Sequence, residues 1–257
     1  MTQRFSDSDR ELKILLEEKL QGVEGWLYLD EAWELLQCAR TSPATSRDLT
    51  VVEIGSFKGR STVALAFGVQ SRGGGTVSSI DPHIGESDAH VRQYGSQDTF
   101  DVFLANVRRA GLGGYVRPLR TTSMAARTNF TDGSIDVLFV DGSHEYEDVK
   151  ADIEGYLPLL ADEGRLAFND PSNPGVYRAL KEKVLLSGSP CRDPRLVQNT
   201  LFFEFRRAAP WTARDQAALR RLRMVLAMRA GAAVARPYMP MWLVRIGHAA
   251  SRKMVSR

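Results

Sequence analysis

Residues able to do chemistry gather at three places along this 257-residue chain. The first is VVEIGSFKGRST (51–62), where Gly55 and Gly59 flank a strand-to-helix turn and the helix opens near Ser61. Such a turn lets backbone approach a ligand, and the helix N-terminus favours an anionic group. The spacing is ExGxxxG, not GxGxxG, and Phe57 stands where a dinucleotide site keeps the glycine that admits a pyrophosphate. A smaller anion, such as an amino-acid carboxylate, suits this turn better. A tight turn with no ligand is the competing reading. The second place is Asp81, at the end of the next predicted strand. A carboxylate there can accept two hydrogen bonds from a ribose diol, which nucleotide and adenosyl groups share.

The third place is FVDGSHEYEDVKADI (139–153) together with AFNDPSN (167–173). Asp141 ends one predicted strand, and Asn169 with Asp170 ends the next. Adjacent parallel strands lie about 4.8 Å apart, so these three side chains can converge above the sheet. Two carboxylates and an amide oxygen are hard ligands, suited to Mg²⁺, Mn²⁺ or Ca²⁺. His144, three residues after Asp141, can face the same point and take a hydroxyl proton near neutral pH. A helix-capping or surface histidine is the alternative.

These residues need a scaffold of strand ends. Short apolar runs at 49–54 and 134–141 have the pattern of strands buried on both faces. Further strands are expected at 76–80, 115–120 and 164–170, and one or two antiparallel strands within 193–206. Helical periodicity fills 61–70, 99–111, 145–160 and 175–186, with a short helix over 122–128. Two more helices, at 8–21 and 30–40, precede the first strand. This alternation implies an α/β, doubly wound, Rossmann-like and mostly parallel sheet with helices on both faces. Its ligands sit beyond the carboxyl ends of the strands. Three segments are expected: a helical lead-in and substrate-side cap (1–48), the ligand-binding core (49–207) and a basic helical extension (208–257).

Charge is unevenly placed. Residues 206–257 hold 12 basic residues and one acid, Asp215, whereas the rest holds 22 basic and 30 acidic. The tail, with a basic amphipathic helix at 211–230 and a second short helix after it, has three readings. It packs on the body or on a second subunit, docks on a membrane surface, or attracts an anionic glycan, lipid or nucleic acid. No aromatic RNA-binding motif accompanies it, so nucleic acid is not expected as a partner. Two distant cysteines, a polar N-terminus and no long apolar run make a cytoplasmic protein the expectation, peripheral at a membrane if the tail docks there.

VVEIGSFKGRST with VDGSHEYEDVKADIEGYLPLLADEGRLAFND resembles the class I S-adenosylmethionine-dependent methyltransferases. More narrowly, it resembles the bacterial metal-dependent sugar O-methyltransferases of the macrocin O-methyltransferase group. GWLYLDEAWELLQCAR is similar to that group's lead-in, and the resemblance spans roughly residues 22–206. It implies that Glu53, Gly55, Ser56, Gly59 and Ser61 hold the methionine end of S-adenosylmethionine, that Asp81 holds the ribose, and that Ser123 and Met124 lie beside the adenine. Asp141 would border the cofactor and, with Asn169 and Asp170, bind Mg²⁺, Mn²⁺ or Ca²⁺. The pattern is also similar to the catechol O-methyltransferases, whose catalytic lysine sits where His144 stands. Several sugar enzymes carry a basic Asp two residues after the metal aspartate; Ser143 occupies that place and cannot act as that base.

The implied reaction is methyl transfer to a hydroxyl of a small-molecule or oligosaccharide acceptor, a mannoside among the candidates, with His144 and Asp141 catalytic. A phenolic or catechol-like acceptor, or a non-catalytic binding module on the same fold, are the alternatives. A dinucleotide oxidoreductase is disfavoured by Phe57. For the acceptor, Tyr28, His90, Tyr94 and Tyr177 are candidate contacts, as are Trp26 and Trp33; core packing is the competing role for the aromatic residues. The segment 82–98 is either a lid or a surface loop. A homodimer is expected.

Overall fold

The structure, a computed structural model, describes residues 7–43, 48–84 and 98–235. Its strands are β1 (Leu49–Ile54), β2 (Gly75–Ile80), β3 (Val116–Leu119), β4 (Ile135–Val140), β5 (Leu160–Asn169), β6 (Cys191–Val197) and β7 (Thr200–Phe205). They form one sheet in the order β3-β2-β1-β4-β5-β7-β6. Strands β1 to β5 pair in parallel, and β7 runs antiparallel between β5 and β6. The order reverses between β1 and β4, which places a crevice beyond their carboxyl ends. All six residues of β4 are buried, as a central parallel strand covered on both faces requires.

Alternate residues feed two cores. Val51, Val63, Val137, Phe139 and Ala167 pack with side chains of α1 (Asp7–Leu20), α2 (Leu29–Thr41), α3 (Arg60–Arg72) and α4 (Phe100–Arg109). Val52, Leu138, Val140, Leu166 and Phe168 pack on the opposite face with α6 (Tyr146–Tyr156), α7 (Pro174–Lys183) and α8 (Ala213–Ala235). The lead-in helices thus share their core with the sheet. A one-residue slip in any strand would exchange the two faces.

Several boundaries differ from the periodicity. The helix expected over 145–160 ends at Tyr156, because Pro158 lacks the N–H to continue it, and a 3₁₀ turn Leu157–Leu159 leads directly into β5. β5 therefore begins at Leu160, with a register shift between Ile135 and Val137 on its β4 partner. The segment 193–206 contains two paired antiparallel strands, β6 and β7. α5 (Ser123–Ala126) is a single turn capped by Thr122.

The basic helix α8 starts at a reciprocal cap: Asp215 accepts from the Thr212 N–H at 2.8 Å, and Thr212 Oγ1 accepts from the Asp215 N–H at 3.2 Å. It buries Leu219, Leu222, Val225, Leu226 and Ala230 on the body, while Met224 and Met228 remain exposed. The second short helix expected after it lies outside the described residues. Among the described residues no helix is long and apolar enough to cross a membrane.

Helices α2 and α3 touch at Gly68, where an added Cβ would lie 2.4 Å from the Leu36 carbonyl oxygen and 2.8 Å from Ala39 Cβ. Gly68→Ala is expected to lower stability by about 1–3 kcal/mol through overpacking. Urea unfolding tests this, and an unchanged midpoint would show that the two helices separate freely.

Candidate active site

Beyond the carboxyl ends of β1, β2, β4 and β5 lies a cavity of about 720 Å³. Its floor is set by backbone. The Gly55 N–H donates to the Ile80 carbonyl at 2.9 Å, and the Asp141 N–H to the Ile54 carbonyl at 2.8 Å, so the glycine turn and Asp141 leave the sheet side by side. At Gly55, φ is +85° and a Cβ would stand 2.1 Å from the Asp141 carbonyl oxygen, which demands glycine.

One half of the cavity is lined by the glycine turn, the start of α3 and polar side chains. The first turn of α3 carries no acidic residue, and its N-cap, Gly59, offers no side chain, so its N–H groups retain their positive character. The Asp81 carboxylate organises the loop before it. Its Oδ2 accepts from the N–H groups of Ser56 and Phe57 at 2.9 and 2.8 Å, and its Oδ1 from that of His83 at 2.6 Å. Arg60 ties the lead-in to this turn by donating to the carbonyls of Leu27, Leu20 and Val23. That clamp holds Trp26 at the cavity, its ring centroid 5.0 Å from that of Phe57. At the far end Ser123 donates to Asp152 Oδ1 at 2.5 Å, and burial pushes the Asp152 carboxyl up to about 6.

The other half is acidic. The register pairs Val140 of β4 with Phe168 of β5, so Asp141 and Asn169 follow side by side. The Asp141 carboxyl is raised well above its usual range by burial and then by the charge of Asp170, with a hydrogen bond from Asn169 opposing. Asp170, in left-handed backbone at φ 46°, is raised by burial. His144 Nε2 lies 3.7 Å from Asp170 Oδ2 and 4.0 Å from Asp141 Oδ1, buried and without a hydrogen-bond partner. Gly175 lets the histidine loop approach, since a Cβ there would stand 2.2 Å from the His144 carbonyl oxygen.

Among the described residues no three His, Cys, Asp or Glu side chains form a group that could hold a metal. The expected donor set has two such residues and an amide, and its chemistry suits a hard divalent cation. The charge of Asp170 raises the proton affinity of Asp141, and neither carboxylate is ion-paired to a Lys or Arg among the described residues. A cation between them would relieve that repulsion. Asn169 Oδ1 is 3.0 Å from Thr200 Oγ1, so ligation through this oxygen requires a half-turn of the amide.

Of the residues expected at a site, Gly55, Ser56, Ser61, Asp81, Ser123, Met124, Asp141, His144, Asn169 and Asp170 line this one cavity. Glu53 and Gly59 do not line it. Glu53 is fully buried beneath the turn, where it accepts from the hydroxyls of Thr62 at 2.5 Å and Ser79 at 2.8 Å. Tyr28 is 55% exposed and off the cavity, Trp33 is core, and Tyr177 packs against the core. His90 and Tyr94 lie outside the described residues. The sequence reading missed Asp152. It shares a cavity-facing stripe of α6 with Asp148 and Ala151, while Val149, Ile153 and Tyr156 face the core, and helical spacing of polar residues is the signal that could have found it.

Burial pushes the Glu53 carboxyl from its ordinary 4.5 up to about 7, against hydroxyls that pull it back. The folded chain therefore binds a proton that the unfolded chain releases, and this contribution to stability is lost as the pH rises from about 4.5 to 7. Glu53→Gln is expected to reduce the fall in urea-unfolding stability between pH 5 and 8 by up to about 3 kcal/mol. An unaltered slope would remove the buried proton as its cause.

Residues 52–171 match the family described as a methyltransferase domain. Over 85 residues the chain is 35% identical to uncharacterized protein y4gI of Sinorhizobium fredii, a stretch that is 33% of this chain and 9% of that one. Solved structures share the fold. The O-methyltransferase NovP superposes with a TM-score of 0.59 at 16% identity, covering 78% of this chain and all of the other. Cofactor-bound Rv0187 from MTB gives 0.54 at 17%, over 81% and 94% of the two chains. An O-methyltransferase from Bacillus cereus in complex with SAH gives 0.52 at 15%, over 80% and 93%. Residues 52–171 thus match a methyltransferase domain, and the chain shares the fold of these solved O-methyltransferases.

Proposed function

We propose that this methyltransferase transfers a methyl group from S-adenosylmethionine to a hydroxyl oxygen of a saccharide, a mannoside among the candidates. In this reading Asp141, Asn169 and Asp170 hold a divalent cation and His144 is the general base. One observation carries it: two carboxylates with raised proton affinity and an unpartnered histidine nitrogen share a cavity with the glycine turn and Asp81. NovP and the Bacillus cereus protein are both O-methyltransferases, which supports an oxygen acceptor. The resemblance in the 51–62 and 140–170 motifs supports a sugar, and Trp26, 59% exposed at the cavity, offers a ring face for it.

When bound, the cofactor supplies an electrophilic methyl carbon on a sulfonium, and the cation supplies a Lewis acid that lowers the acceptor hydroxyl's pKa. The chain does the rest. The N-terminus of α3 and the Ser56–Ser61 turn receive the methionine carboxylate. Asp81 keeps one lone pair, on Oδ1, for a ribose hydroxyl beside its three backbone bonds. Asp152, beside Ser123, accepts from the adenine amine, and Met124 covers the ring. His144 Nε2 would hold the proton that the acceptor hydroxyl gives up when its oxygen takes the methyl group. Most of the rate enhancement comes from aligning two bound reactants.

Isothermal titration of S-adenosylhomocysteine, with Mg²⁺ and with EDTA, should show micromolar binding in at least one condition; none in either would discard the reading. Asp141→Ala and Asp170→Ala should abolish Mg²⁺-dependent methylation of saccharide acceptors while remaining folded by circular dichroism. Full turnover in either variant, or in excess EDTA, would refute the metal role. His144→Ala should lower kcat by about 10²-fold or more with little change in cofactor affinity. A rate near that of the unaltered enzyme would remove His144 as the base.

A further inference from the structure

We propose that Thr200, held by Glu31, is the positioning residue that fixes the Asn169 amide beside the cation site in either of its two orientations, an inference that rests on the metal reading above. Thr200 opens β7 directly opposite Asn169 at the end of β5, and it is fully buried. Its Oγ1 lies 3.0 Å from Asn169 Oδ1 and 3.0 Å from Glu31 Oε1. Glu31 is 1% exposed and cannot swing away. Its Oε1 accepts from the Asn199 N–H at 2.7 Å and its Oε2 from the Tyr28 N–H at 2.7 Å. Main chain from two distant segments therefore fixes both carboxylate oxygens.

The count of protons lets this arrangement hold the amide in both of its orientations. Thr200 has one hydroxyl proton and two acceptors in reach. A carboxylate accepts more strongly than an amide oxygen. When the proton goes to Glu31, Thr200 presents only lone pairs to Asn169. The amide is then satisfied when its NH₂ donates to Thr200 and its oxygen turns toward Asp141 and the cavity. Without a cation, the opposite orientation serves: the amide side chain hydrogen-bonds Asp141, and Oδ1 faces Thr200. The same hydroxyl can thus accompany both orientations, donating in one and accepting in the other. Valine in its place could do neither, and a ligand amide free to rotate holds a cation less well.

The test is Mn²⁺ binding to the full-length protein, read from the loss of the free-ion electron paramagnetic resonance signal in the presence of S-adenosylhomocysteine. Thr200→Val should bind Mn²⁺ about 10-fold or more weakly, with S-adenosylhomocysteine affinity unchanged. Thr200→Ser, which restores the hydroxyl, should bind Mn²⁺ close to the unaltered protein. Glu31→Gln, which replaces one acceptor by a donor, should weaken Mn²⁺ in the same direction and covers the case in which Thr200→Val does not fold. Undiminished Mn²⁺ affinity in Thr200→Val overturns the positioning role alone. Loss in Thr200→Ser as large as in Thr200→Val also overturns it, because packing and not the hydroxyl would then be the cause. An unaltered protein that binds no Mn²⁺ overturns the metal reading and this inference with it.

Discussion

Asp141 and Asp170 stand at the ends of neighbouring strands, both raised in proton affinity, with His144 Nε2 between them and no Lys or Arg to neutralise them among the described residues. Leaving two carboxylates crowded and poorly solvated is costly unless a proton or a cation joins them. The rest of the site is arranged around that demand. The β4–β5 register sets the spacing, Gly175 admits the histidine loop, and the β5–β7 pairing brings Thr200 against Asn169.

The same strand ends show how the two halves of the cavity are coupled. Gly55 and Asp141 cross at a distance that leaves no room for a side chain, and the Asp141 N–H bonds the Ile54 carbonyl, so the glycine turn and the acidic cluster leave the sheet joined. Asp81 pins that turn through three backbone N–H groups. Arg60 and Glu31 then fasten the lead-in to both halves, Arg60 to the turn and Glu31 to the β7 start. The segment before β1 is therefore part of the site's framework as well as of its core. Its helix α2 meets α3 so closely that Gly68 has no room to grow.

Glu53, Asp152 and Asp141 all have raised proton affinity, with burial as the first cause in each. Their placements separate their roles. Glu53 is sealed under the turn among hydroxyls, where it supports the loop. Asp152 opens onto the cavity beside Ser123, and Asp141 opens onto it beside Asp170. Acids of one type thus divide into buried and cavity-lining groups according to whether they lie within a strand beneath the turn or at the cavity, beyond a strand end or on the cavity stripe of α6.

Much of this was legible in the residues alone. The apolar runs at 49–54 and 134–141, the ExGxxxG turn and the strand-end acids are local patterns, and the doubly wound sheet follows from their alternation because βαβ units have one stable handedness. That the acids converge also follows, since neighbouring parallel strands end about 4.8 Å apart. Other features needed tertiary structure. Pro158 shortens a helix whose periodicity continues past it, and the extra residues pass to β5. Glu53 and Asp81 look alike as acids near strand ends, yet one is sealed in and the other faces the cavity, because Glu53 lies within β1 beneath the turn whereas Asp81 lies just beyond the end of β2. The bond from Glu31 to Thr200 joins residues 169 positions apart, and no local pattern can announce a partner that only sheet order and helix packing bring within 3.0 Å.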